Sequence, residues 1–203
     1  RTPINAIMGA LGLLQEAALD HSDRQYLETA HRSAETLLGL VSDVLDLSRI
    51  DAERQPLESE PVSPAELCDS VLELLADRAA ANGNRLGCVV HEGVADKVWI
   101  DGGKVRQVLL NLVGNAIKFA RPDSPPHVMV SSTEQAGDVV VVDVDDRGIG
   151  VDEGYEERAF EPFRRVHKDL DVEGSGMGLT ICRKVARLHG GDVKMLRNPS
   201  GVG

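Results

Sequence analysis

Aromatic side chains are scarce in this chain: one Trp, two Tyr and three Phe, 3% of 203 residues. So few flat rings make a poor stacking platform for single-stranded nucleic acid. Cationic charge is also short. With 22 Lys and Arg against 33 Asp and Glu, the net charge is -11, which argues against binding a phosphate backbone. Thiols are few: Cys68, Cys88 and Cys182 stand far apart and are odd in number. They fit neither a metal-ligand spacing nor a disulfide framework, so reduced, buried thiols are the simpler expectation. No apolar run approaches the roughly 18–20 residues of a membrane span. Neither a signal peptide nor an initiating Met is present, so the chain reads as a cytoplasmic piece of something longer, with any membrane anchor elsewhere in the parent.

What is present is aliphatic and periodic. At about 100–200 residues per domain, the length allows one or two domains. Ile4, Ile7, Leu11, Leu14 and Ala18 repeat at 3-4 spacing, and so do Leu27, Ala30, Ala34, Leu37, Val41, Val44 and Ser48. These are heptad seams on two helices, with Ser22 and Gln25 read as the capping box between them. A lone helical hairpin has too little surface to bury such seams, so a second copy and a dimeric four-helix bundle through residues 1–55 are expected, ahead of a hairpin packed on its own second domain. Pro56, Pro61 and Pro64 then interrupt the pattern, which places the domain boundary at 55/56. Ser63-Pro64-Ala65-Glu66 starts a new helix. Helical patterns follow at 64–81, 102–119 and 176–189, and strand-like segments at 86–91, 97–101, 127–133, 138–145 and 192–197. That mixture predicts an α+β chain: a two-helix hairpin, then an α/β sandwich with a mixed sheet over 56–203.

Three segments carry chemistry. On the 102–119 helix, Asn111, Asn115 and Lys118 fall at i, i+4 and i+7 beside a clean apolar face, and Phe119 follows. Asn is a poor helix former, so two in one stripe cost helix stability. A solvated face explains any single Asn. The stripe as a whole suits a nucleotide, since an amide oxygen can ligate Mg²⁺ and a Lys one turn on can meet phosphate. Next, an alternating strand ends in Asp145-Asp146 and runs into Gly148-Ile149-Gly150. A carboxylate at a strand end can accept an adenine amine, and the glycines let backbone approach a ligand. Taken singly, Asp-x-Gly is an ordinary turn. The third segment, Gly174-Ser175-Gly176-Met177-Gly178-Leu179, opens the last helix, where free N–H groups face phosphate. It is not a Rossmann turn, because no strand immediately precedes it, nor a Walker A loop, because Gly-Lys-Ser/Thr is missing. Between the glycine runs, Ala159-Phe160-Glu161-Pro162-Phe163-Arg164-Arg165 reads as a mobile lid anchored by its two Phe.

In that order and spacing, residues 105–119, 142–150, 159–166 and 174–182 strongly resemble the N box, first glycine box, F box and second glycine box of sensor histidine kinases. Arg1-Thr2-Pro3 resembles the tail of the same family's H box. The resemblance covers nearly the whole chain. It implies ATP and Mg²⁺ as ligands, a homodimer, and a response-regulator receiver domain as partner. It makes Asn115 the Mg²⁺ ligand with Asn111 beside it, Lys118 a phosphate or ribose contact, and Phe119 the ring on adenine. Asp146 becomes the carboxylate that reads the adenine amine, with Gly148 and Gly150 letting the ligand close in. Gly174, Gly176 and Gly178, followed by Leu179, lie under the phosphates, and Arg165 reaches the terminal one. Thr2 matches a threonine tied to dephosphorylation of the receiver, and it also suits an N-cap before Pro3. The family's phosphoacceptor His would fall three residues before Arg1, its neighbouring acid would be missing with it, and the last strand would lie beyond Gly203. Two readings compete: a degenerate kinase acting as dimeric scaffold or receiver phosphatase, and a gyrase-like ATPase. The second is disfavoured, because Asn111 stands where such enzymes carry a water-activating Glu.

Overall fold

A computed structural model describes residues 2–15, 20–51, 56–121, 127–135, 139–166 and 174–196. The first two helices are α1, Thr2–Gln15, and α2, His21–Asp51, which pack as a hairpin. Asp20, rather than Ser22, caps α2. Its Oδ1 accepts the Asp23 N–H at 2.8 Å, so Ser22 already lies inside the helix. Both residue types cap well, but a carboxylate also meets the helix dipole. Seam residues Leu27 and Ala34 are buried within the hairpin, whereas Ile7, Leu14, Leu37 and Val44 stay exposed. Ala18 lies outside the described residues.

Past the prolines come β1, Glu60–Val62, and α3, Pro64–Ala81, followed by β2, Arg85–Val90, and β3, Val98–Ile100. The chain continues through α4, Gly102–Lys118, then β4, His127–Gln135, and β5, Val139–Asp146. A 3-10 turn, Arg158–Phe160, precedes the last helix, α5, Gly178–Leu188. Ser63 caps α3 as the sequence suggests, its Oγ accepting from Glu66 N–H, and in the structure Asp101 caps α4, its Oδ1 accepting from Lys104 N–H at 3.0 Å. The main sheet is mixed, in the order β2-β4-β5, with β2 parallel and β5 antiparallel to β4. β1 and β3 form a separate antiparallel pair. The sequence gives no sign of β1, because it contains Pro61. Opposite Trp99 in a two-stranded pair, a proline can turn its missing donor to the open edge.

One side of the main sheet is covered by helices. Val71 of α3, Val113 and Ile117 of α4, and Val128 and Val130 of β4 are at most 2% exposed and form one apolar cluster. A second cluster, Met177, Ile181 and Val185, packs on Val108 and on Leu47 of α2. The three cysteines are free, and burial pushes the Cys68 and Cys182 thiols up to about 12. The strand expected at 192–197 does not form over the described residues 192–196. There the Val193 carbonyl accepts from the Arg183 guanidinium at 3.1 Å, a side-chain bond where a ladder bond was expected.

Candidate functional site

The register of β4 and β5 places the acid at the strand end. Asp146 sits opposite Val128, a core residue, so both side chains share the helix-covered face. Asp146 Oδ1 accepts the Gly148 N–H at 2.7 Å, which fixes the carboxylate and leaves Oδ2 as a further acceptor. Burial pushes the Asp146 carboxyl above its ordinary value, opposed by the Gly148 bond and reinforced by Asp145. Gly148 cannot carry a side chain: a Cβ there would lie 2.6 Å from Asp146 Oδ1 and 2.7 Å from the Phe119 carbonyl. The turn is pinned to the end of α4, where Ile149 N–H donates to the Phe119 carbonyl at 3.0 Å. The backbone of Phe119 therefore holds the first glycine turn, a role with no sequence signature. Its ring lies 5.0 Å beneath the Lys118 ammonium. Gly150 follows in the left-handed region at φ 68°.

The second glycine run lies along the polar stripe of α4. Asn111 Nδ2 is 3.5 Å from the Gly178 carbonyl, and a Cβ on Gly174 would meet Lys118 Nζ at 2.5 Å. Asn115 lies between them on the same stripe and is half-buried. The stripe and the run, 60 residues apart from Lys118 to Gly178, thus become one wall. Gly176 has φ 70°, and a Cβ there would stand 2.9 Å from the backbone of Phe163 and Arg164. The loop with the two Phe therefore closes directly on the glycine run. Leu179 is half-buried at the start of α5.

The two phenylalanines of that loop differ, contrary to a double anchor. Phe160 is buried against α5, with Thr180 Oγ1 donating to its carbonyl at 2.9 Å and the Arg183 guanidinium 3.7 Å over its ring. Phe163 is 62% exposed and adopts φ 59°, a conformation few side chains take. Arg165 follows at the surface. Thr2 begins α1, and its side chain lies outside the described residues.

Sequence reasoning missed Ser175. Its hydroxyl donates to Asp43 Oδ2 of α2 at 2.6 Å and accepts the Met177 N–H at 3.2 Å. Beside it, Gln107 Nε2 donates to Asp46 Oδ2 at 2.9 Å. Both contacts tie the hairpin to the sandwich, and neither residue stands out in a helix or a glycine run. Among the described residues, no group of three or more His, Cys, Asp or Glu is placed to hold a metal ion. The donor set of the α4 stripe fits a different arrangement. Mg²⁺ takes few protein ligands and completes its shell with phosphate and water, and one amide oxygen beside a phosphate-sized wall suits that.

A helical hairpin followed by an α/β sandwich with two glycine turns facing one helix is the build of a sensor-kinase core. Comparison with known families agrees. A model described as the His Kinase A (phospho-acceptor) domain matches residues 1–53. Another, described as Histidine kinase-, DNA gyrase B-, and HSP90-like ATPase, matches residues 100–203. The signal transduction histidine-protein kinase BarA of Escherichia coli strain K12 is 33% identical over 98% of this chain and 22% of its own. The sensory/regulatory protein RpfC of Xanthomonas campestris pv. campestris is 36% identical over 99% of this chain and 28% of its own. The chain thus spans about a quarter of these relatives. Among solved structures, full-length ShkA in complex with AMPPNP superimposes with TM-score 0.78 at 32% identity, over 94% of this chain and 39% of that one. The histidine kinase ThkA in complex with the response regulator protein TrrA has the same fold, with TM-score 0.70 at 24% identity over 98% of this chain and 55% of that one. The chain belongs to the sensor histidine kinase family.

Proposed function

We propose that this chain is the working core of a two-component protein-histidine kinase. It binds Mg·ATP and delivers the γ-phosphoryl group to a His imidazole, from which an Asp of a response-regulator receiver takes it. The observation that carries this reading is the wall made by Asn111, Lys118 and the 174–178 glycine run, closed at one end by the Asp146 turn. Residues 1–55 serve as the dimerisation and phosphotransfer hairpin, and 56–203 as the ATP-binding domain. The parent works on the cytoplasmic side. No helix among the described residues is long and apolar enough to cross a membrane.

Each residue has a task that its chemistry allows. Asp146 Oδ2 accepts the exocyclic amine of adenine, while Gly148 holds Oδ1. Gly148 and Gly150 admit the base edge, and the Phe119 ring lies against it. The N–H groups of Gly174, Gly176 and Gly178 meet phosphate oxygens at the start of α5, and Leu179 packs behind them. Lys118 adds a compact positive charge, and Arg165 reaches the terminal phosphate when its loop closes. Asn115 would hold Mg²⁺ with Asn111 beside it; bound there, the ion would neutralise charge between the phosphates. A neutral imidazole nitrogen attacks the γ-phosphorus, the bond to the bridging oxygen breaks, and ADP leaves, so the protein chiefly positions and neutralises. Thr2, next to the H-box place, would act in the reverse direction, removing phosphate from the receiver.

Titration of the chain with ATP tests the site. Asp146→Asn replaces an acceptor by an amide that can point a donor at the adenine amine. It should weaken binding by about 2 kcal/mol, roughly thirtyfold. Undiminished binding would remove the site and favour a dimeric scaffold or receiver phosphatase. Radiolabel from γ-labelled ATP should appear on a His in a chain extended upstream of Arg1, and rapid steady ATP hydrolysis would point to a gyrase-like ATPase.

A further inference from the structure

The loop between the glycine turns is held at its base chiefly by the Arg183 side chain. Arg183, on α5, is largely buried, with its side chain 13% exposed. Its guanidinium lies 3.7 Å over the Phe160 ring. Nη1 and Nη2 reach the Glu157 carboxylate at 2.7 and 3.3 Å, and Nη2 also donates to the Val193 carbonyl at 3.1 Å. Nε stands 3.5 Å from Asp192 Oδ1. One turn earlier, Thr180 holds the carbonyl of the same Phe160 at 2.9 Å. The loop base is therefore fixed through ring, carboxylate and carbonyl, all to the helix that begins in the second glycine run. Immediately beyond it the restraint changes character. Phe163 takes a left-handed backbone, and residues 163–164 abut Gly176 so closely that no Cβ fits between them.

We propose that Arg183, assisted by Thr180, is a positioning residue for phosphoryl transfer. It fixes residues 157–160 to α5, so that the segment from Glu161 to Arg165 pivots over the glycine run and presents its arginine to the terminal phosphate of a nucleoside triphosphate. This inference rests on the proposed phosphate-binding role of residues 174–178. The Glu157 ion pair alone would not carry it, since that carboxylate is 79% exposed and water screens such pairs. The stacked, planar contact on buried Phe160 does, and a Lys cannot reproduce it. The strained backbone at Phe163 is imposed by its surroundings, the Gly176 backbone against residues 163–164 among them.

The test compares ATP and ADP affinities of the full chain with Arg183→Ala, Arg183→Lys and Glu157→Gln, alongside hydrogen exchange without nucleotide. Arg183→Ala should cut the preference for ATP over ADP roughly tenfold, as expected for one lost charge-assisted contact to the third phosphate, with ADP affinity nearly unchanged. Arg183→Lys should recover only part of that preference, and Glu157→Gln should keep it. Amides of 159–161 should exchange faster in Arg183→Ala while those of α4 stay protected. Equal losses for ATP and ADP, or an unchanged ratio, would overturn the proposal, as would unchanged exchange at 159–161. Should Arg183→Ala fail to fold, Arg183→Lys supplies the same ratio and exchange readouts. A wild-type chain that bound neither nucleotide would instead sink the nucleotide site itself, and the exchange result would still decide whether Arg183 clamps the loop.

Discussion

Ile7, Leu14, Leu37 and Val44 of the hairpin stand 44–52% exposed, whereas Val113, Ile117 and Val128 of the sandwich are at most 1% exposed. Both regions are built from the same aliphatic residues. The sandwich closes on itself because a sheet face and helix stripes of opposite regions meet, and its core needs no second chain. Two helices cannot do the same: Leu27 and Ala34 are buried, but Ile7, Leu14, Leu37 and Val44 of the seam stay exposed. A self-sufficient sandwich is thus carried on a hairpin whose exposed seam, in the proposed reading, is covered by a copy of itself. Such a division lets one part move while the other stays anchored.

The sharpest way to separate the two regions is to remove core volume. Ile117→Ala should destabilise the sandwich by about 3 kcal/mol, since the residue is fully buried among α3, α4 and β4. The midpoint of chemical unfolding should not depend on protein concentration. A loss below about 1 kcal/mol would mean that the core relaxes around the cavity. In the hairpin the outcome should be reversed. Leu37→Glu puts a charge where the seam awaits a copy, and burying even one Leu is worth about 1.5–3 kcal/mol. Dimer dissociation, followed by sedimentation, should become roughly tenfold to a hundredfold easier, with the sandwich transition unmoved. An unchanged association state would break the comparison, for the exposed seam would then have another occupant.

Acid should act on the sandwich through Asp146. Burial raises the Asp146 carboxyl, so the folded sandwich takes up its proton at a higher pH than the unfolded chain does. The sign follows by linkage: protonation favours the folded state, and the cost of the buried charge is present at neutral pH and relieved as pH falls through the raised value. Nucleotide binding needs the ionised form and should run the other way. ATP affinity should fall on acidification while the pH is still above 3.8, the ordinary Asp value, and Asp146→Asn should abolish that step. An affinity that is flat with pH in the wild type would separate Asp146 from the adenine.

What was legible in the sequence was local or periodic. Ser63 announces its helix because a cap needs only its own next turn. The order of the glycine turns and the Asn stripe was legible too, as residue types with few structural reasons to sit there. Contacts between distant segments were not. Nothing near Ser175 names Asp43, and nothing in a run of Arg and Lys on α5 marks Arg183 as the residue beneath which Phe160 is buried. The segment at 192–197 misled for a related reason. Alternation shows which residues suit a strand, but whether a neighbouring ladder is available is a property of the fold.

The smallest expected effect lies on the seam between the two regions. Asp46→Ala removes the acceptor of one Gln107 hydrogen bond and leaves the Asp43–Ser175 bond and the Leu47 contact in place. One such bond is worth about 1 kcal/mol net, so amides of α2 near 43–47 should exchange a few times faster, with neither core affected. Ser175 lies in the glycine run itself, so the position of α2 and the shape of the phosphate wall are mechanically linked. The proposed phosphotransfer would require that link to release, so that the γ-phosphate could reach the hairpin. Hydrogen bonds such as these are weak enough to let go and directional enough to set a resting orientation. An Asp46→Ala variant with exchange on α2 unchanged would mean that Leu47 and Asp43 alone define that orientation, and the docking would then be tuned by packing rather than by polar pairs.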